Sequence, residues 1–180
     1  MKISSVAKKA MAVTLTVALA VGAVAVAPAK KVSAAKKKPV TITAKALYAD
    51  SAWTWVAGDD NPVTKKVKIT KGKKATVSIT INNKTKKKLK EAQVFTVDLV
   101  DIKKNFKSVK VSGLTVKVDG KKKAAKLVQG CFEPKKNPNN WRISVYNAVG
   151  TDGDNSKSVN KAKNYKFKNK IEISFTVVAK

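Results

Sequence analysis

From about residue 40 the chain alternates apolar and polar side chains with a period of two, the pattern of half-buried β-strands. Val77, Ile79 and Ile81 alternate with Thr76, Ser78 and Thr80, so one set faces a core and the other faces water. The same rhythm places Phe95, Val97 and Leu99 on one face of a strand over 94–102. It recurs over 141–146, with Ile143 and Val145, and over 170–178, with Ile171, Ile173, Phe175 and Val177. Further strands are predicted over 40–43, running on toward Leu47 and Tyr48, and over 52–56, 63–69, 109–111, 114–118 and 126–132. Loops are expected where Gly, Pro, Asn and Asp gather, at 58–62, 71–74, 134–140 and 150–164, and over the basic polar stretch 82–90.

Asp119-Gly120 predicts a two-residue hairpin, because both central positions of the favoured turn need positive φ. Its return strand is expected over 126–132. The stretch 84–92 is the only helix candidate, at one or two turns, and no apolar stripe recurs at helical spacing. About nine short strands separated by turn signals predict an all-β, jelly-roll-like antiparallel β-sandwich. Its expected core is Val77, Ile79, Ile81, Phe95, Val97, Leu99, Val116, Ile143, Val145, Ile171, Ile173 and Phe175.

The first segment follows a different rule. Lys2, Lys8 and Lys9 precede an uncharged run of Ala, Val and Leu over 10–27, and small residues then recur at peptidase spacing. Residues 1–35 therefore read as a secretory signal with a small-residue tail, cleaved after Ala34 or Ala35, or else as an uncleaved N-terminal anchor. Cleavage leaves 36–180, the size of one domain with its own core, outside the cell or held at its wall. No later segment is apolar enough to span a bilayer. The basic start and long small-residue tail look like those of Gram-positive bacteria.

Charge adds a second constraint. The chain has 39 Lys and Arg against 11 Asp and Glu, a net charge of +28. Only one of these cations is Arg, Arg142. Lys is a hydrated point charge, whereas Arg reads bases and phosphates with a planar fork, so sequence-specific nucleic-acid recognition is not expected. Lys spread along strands reads either as a solvated surface or as one that adheres to an anionic cell-wall polymer. With no His and a single Cys, Cys131, neither a Ser-His-Asp nor a Cys-His arrangement exists, and zinc of the usual ligand type is excluded. No motif marks an active site, so the chain is expected not to be an enzyme.

The order of the motifs carries a resemblance. Leu47-Tyr48-Ala49-Asp50-Ser51-Ala52-Trp53-Thr54-Trp55 is followed by a Thr-Lys-Gly turn, an alternating strand and a Phe-containing strand. Then come the Val118-Asp119-Gly120 hairpin, Trp141-Arg142-Ile143-Ser144-Val145-Tyr146-Asn147, an acidic Gly loop and a closing Ile-Glu-Ile-Ser-Phe-Thr-Val strand. This series resembles galactose-binding-like β-sandwich modules of secreted clostridial proteins, which are regarded as carbohydrate-binding modules. The resemblance spans nearly all of 36–180; the strong positive charge departs from it and bears on the ligand more than on the fold.

Sugar binding needs flat aromatic faces beside hydrogen-bonding groups. Trp53 and Trp55, two positions apart in a predicted strand, share a face and adjoin Asp59, Asp60 and Asn61, which makes 53–61 the leading candidate for a polysaccharide site. Trp141 and Tyr146 are the next candidates, on opposite faces of a regular strand, with Arg142 and Asn147 as hydrogen-bonding groups, although Arg142 reads more simply as an ordinary surface cation. Each Trp has a core role as its alternative. Asp152, Asp154 and Asn155 read either as a plain polar loop or as half of a structural calcium loop, and Asp59, Asp60 and Asn61 form a second donor cluster open to the same two readings.

Overall fold

A strand with alternate apolar residues buries one face only, so it needs a second layer to cover that face. In the computed structural model, which describes residues 38–130, 137–149 and 156–180, the second layer is another sheet. The larger sheet holds β1 (Val40–Asp50), β2 (Trp55–Ala57), β3 (Val63–Ile69), β5 (Ala92–Val100), β8 (Val128–Gly130) and β9 (Trp141–Asn147). The smaller holds β4 (Lys74–Asn82), β6 (Val109–Val118), β7 (Lys121–Lys123) and β10 (Lys170–Ala179). The orders are β2-β1-β5-β9-β8 and β4-β10-β6-β7, and every described pairing is antiparallel. β1 is long enough to hold two partners along one edge, β3 at its start and β2 at its end. The chain changes sheet between β3 and β4, β4 and β5, β5 and β6, β7 and β8, and β9 and β10. The result is a jelly-roll-like antiparallel sandwich.

Every expected core residue is buried between the sheets. Phe175, Ile173 and Ile171 stand opposite Val77, Ile79 and Ile81 across the β4–β10 ladder, so one register serves the whole apolar face. Aromatic rings close one part of the core. Tyr48 packs edge-on to Phe167 at 4.9 Å and to Phe95 at 5.7 Å, and Phe95 meets Tyr165 at 5.7 Å. The Tyr48 hydroxyl donates to the Tyr165 carbonyl and the Tyr165 hydroxyl to the Ala124 carbonyl, so both buried phenols are satisfied. Burial pushes the Tyr165 hydroxyl up to about 12 and, helped by the Asp50 charge, the Tyr48 hydroxyl further.

Several elements differ from the pattern-based expectation. The segment 109–118 is one strand, not two: Gly113, at φ 66°, sits where the β6–β10 register slips and lets the strand continue through an irregularity. Asp119 and Gly120 do form the hairpin, at φ 46° and 83°, but the return strand is Lys121–Lys123. The strand predicted over 126–132 is instead β8, which joins the other sheet beside β9. The helix candidate 84–92 is not helical and the basic polar loop read over 82–90 stands; its backbone is tied by Asn83, whose amide nitrogen donates to the carbonyls of Lys87 and Lys168. Single helical turns occur at Ile102–Asn105, Ser156–Val159 and Ala162–Tyr165, the second within the predicted polar loop and the third across its end.

Candidate functional site

The outer face of the larger sheet is not a bare solvated surface. Thr96 and Asp98 of β5 and Arg142 and Ser144 of β9 point away from the core and are nevertheless buried. Turns after β1, β2 and β9 rise around this face and enclose a cavity of about 780 Å³, within the size range of small-molecule sites. Its wall carries Trp53, Trp55, Gly58, Asp59, Asp60 and Asn61; its sheet side carries Lys45, Leu47, Val94, Asp98, Val100 and Arg142. Asn140 and Asn147 also line it.

Trp53 and Trp55 stand side by side, but not through strand periodicity. The strand begins only at Trp55, and Trp53 lies in a preceding turn with left-handed backbone at φ 59°. Asp50 builds that turn. Its Oδ1 accepts the backbone N–H of Ala52 and of Thr54, each at 3.0 Å, and its Oδ2 accepts that of Lys90 at 2.9 Å. Burial alone raises the Asp50 carboxyl, but the N–H donors of Lys90, Thr54 and Ala52 outweigh it and hold the group below its ordinary 3.8. The two indoles are 6.3 Å apart between centroids, tilted by 35°, and remain 49% and 45% exposed. Neither ring is a core side chain, and together they form an exposed apolar patch on the cavity wall.

The polar residues are placed by ion pairs. Arg142 and Asp98 face each other across the β5–β9 register. Nε donates to Oδ1 and an Nη to Oδ2, both at 2.6 Å, in a buried two-point pair. Arg142 is thus not a surface cation. Lys45 of β1, beside Asp98 in register, reaches the other way and donates to Asp59. That hydrogen bond and the Lys45 charge lower the Asp59 carboxyl. Three carboxylates and two cations therefore line the cavity of a chain whose net charge is +28.

Trp141 and Tyr146 are not brought to this cavity. The β5–β9 register slips between Phe95 and Thr96, so Tyr146 opposes Phe95 while Ser144 opposes Thr96. This bulge removes the opposite-face placement expected of a regular strand: both rings are half-buried and pack against the core. Lys103 Nζ lies 5.5 Å from the Trp141 ring centroid. The same slip turns Asn147 outward into the cavity lining. Asn147 Oδ1 accepts the Val149 N–H, but its Nδ2 is buried without a partner, a state that costs about 1–3 kcal/mol until an acceptor arrives. Asn147 is a hydrogen-bonding candidate of the sequence, whereas Asp98, Asn140 and Lys45 are not singled out by it. Their signal is positional, since polar residues on the outer face of a central strand become informative only when something covers that face.

Asp152, Asp154 and Asn155, the first calcium candidate, lie outside the described residues, whereas Asp59, Asp60 and Asn61, the second, stand on the cavity wall. Among the described residues no group of three or more His, Cys, Asp or Glu is arranged to hold a metal ion, and no helix is long and apolar enough to cross a membrane. No protein-family model matches the chain, and neither a curated protein nor a solved structure matches it.

Proposed function

We propose that the chain is a secreted, non-catalytic carbohydrate-binding domain that stacks a polysaccharide on Trp53 and Trp55. The observation that carries this reading is the exposed indole pair at the wall of a cavity whose sheet side sets Lys45, Asp98 and Arg142 among apolar side chains. A pyranose ring gains hydrophobic and dispersion energy on an aromatic face, while carboxylates and amides orient its hydroxyls. Asp59, Asp60, Asn61, Asp98, Arg142 and Asn147 are the orienting groups. The resemblance to galactose-binding-like modules points the same way. A second reading, adhesion to an anionic cell-wall polymer, rests on the lysines of the outer surface, among them Lys65, Lys66, Lys68 and Lys74 around a hollow with no acidic lining.

Alanine at Trp53 and at Trp55 tests the proposal. Each replacement is expected to abolish retention on the polysaccharide and to leave the melting temperature nearly unchanged, because neither ring is buried. Truncating a core Trp would instead cost about 3–5 kcal/mol. Early melting of both variants would assign the rings to the core and remove the site. Retention that persists in both variants but vanishes in 1 M salt would favour the adhesive reading, since screening then acts over about 3 Å.

A further inference from the structure

The cavity reverses the charge balance of the chain that contains it. Elsewhere cations dominate, 39 against 11 overall. Within the lining, Asp59, Asp60 and Asp98 outnumber Lys45 and Arg142. Both of those cations are already engaged by carboxylates of the same cavity, Lys45 by Asp59 and Arg142 by Asp98. Asp60 is exposed on the wall that also carries Trp55 and leaves the lining net negative. The donor that is dry and unmatched is a neutral one, Nδ2 of Asn147, whose residue is 1% exposed.

A hydroxyl answers this set of groups from both sides. It accepts from the Asn147 amide and donates to a carboxylate oxygen, which keeps a lone pair even when paired with Arg. A carboxylate, sulfate or phosphate on the ligand only accepts, and it meets like charges at short range, where salt screens least. Resting on the carbohydrate reading, we infer that the site takes an uncharged, hydroxyl-bearing glycan and rejects its acidic counterpart. Anionic polymers are left to the outer lysines. The positive surface and the aromatic cavity thereby serve different ligands.

The test uses the full chain at 1 M NaCl, where attraction to surface lysines is screened. Retention is measured on polygalacturonate, on its methyl ester, which is the same polymer without its charge, and on a panel of neutral galactans and glucans. Trp53→Ala and Trp55→Ala identify which retention runs through the cavity. Every polymer held in a Trp-dependent way is expected to be uncharged. Asp60→Lys, an exposed change, is read at 0.1 M NaCl on the Trp-dependent share of retention, where its charge is not screened out, and is expected to raise uronate retention relative to neutral glycan by about threefold or more. A charged glycan held through the tryptophans as tightly as its neutral form overturns the inference and leaves the carbohydrate reading standing. So does unchanged discrimination in Asp60→Lys. If no glycan is retained through the tryptophans, the carbohydrate reading fails and this inference falls with it.

Discussion

Trp55 owes its pose to a residue without a side chain. A Cβ built on Gly58 would lie 3.2 Å from Trp55 Cε3, inside ordinary van der Waals contact. Gly58→Ala is therefore expected to push the indole out of line with Trp53. Affinity for the polysaccharide should fall severalfold in a titration, while stability changes by less than about 1 kcal/mol, since Gly58 has no left-handed backbone to defend. Arg142 makes the opposite forecast. Removing it leaves Asp98 as a buried charge without its two-point partner, which costs about 3–5 kcal/mol. Urea unfolding of Arg142→Met should show that loss, and the double variant Asp98→Leu with Arg142→Met should recover much of it, because two apolar groups leave no orphaned charge. Equal instability of single and double variants would mean that packing, not charge, sets the cost.

At the scale of an element, the turn between β1 and β2 depends on a carboxylate. Three backbone N–H groups bind ionised Asp50 and lower its folded pKa below the ordinary 3.8. The sign follows from linkage: a depressed carboxyl contributes stability that is present above its unfolded pKa and lost as pH falls through the folded value. The turn that carries Trp53 should thus be intact at neutral pH and loosen below about pH 4. Tryptophan fluorescence and glycan retention, followed together from pH 7 to 2.5, should change in that window. Asp50→Asn keeps an acceptor for Ala52 and Thr54 but turns an NH₂ toward the Lys90 N–H. It is expected to cost about 1–3 kcal/mol and to remove that pH step. A step of the same size in Asp50→Asn would assign the transition to another carboxyl, such as Asp119. Asp119 accepts three N–H groups, from Lys168, Asn169 and Lys170, at the start of β10.

The whole molecule carries a self-repelling shell. With a net charge of +28 and few ion pairs among the described residues, Lys45–Asp59, Lys104–Asp101, Arg142–Asp98 and Lys170–Glu172, compact folding brings like charges together. Salt shortens the Debye length from about 30 Å at 0.01 M to about 10 Å at 0.1 M. The melting temperature should rise over that range of NaCl. A fall or no change would mean that the lysines are too far apart, or too well solvated, to oppose folding. A polyanion would meet such a shell by weak, salt-sensitive attraction over a broad surface, whereas the cavity offers a shaped surface.

What the sequence by itself determined is whatever depends on period and on turn chemistry. Alternation along β4, β5, β9 and β10 decides which side chains face inward, and all of the expected core residues are buried. Asp119-Gly120 turns where its backbone freedom says it should. The sequence also brought Trp53 and Trp55 together with 59–61, because these residues are local neighbours and any compact turn keeps them close. Tertiary structure alone decided the rest. A single extra residue in β9 reversed the face of Tyr146 and aimed Asn147 into the cavity, and period-two reasoning has no means of locating a bulge within a short strand. Arg142 and Asp98 lie 44 residues apart; their pairing exists only through the register of β5 and β9. The outer face of the larger sheet became a lined cavity because loops distant in sequence converge over it, and long-range convergence leaves no trace in local pattern.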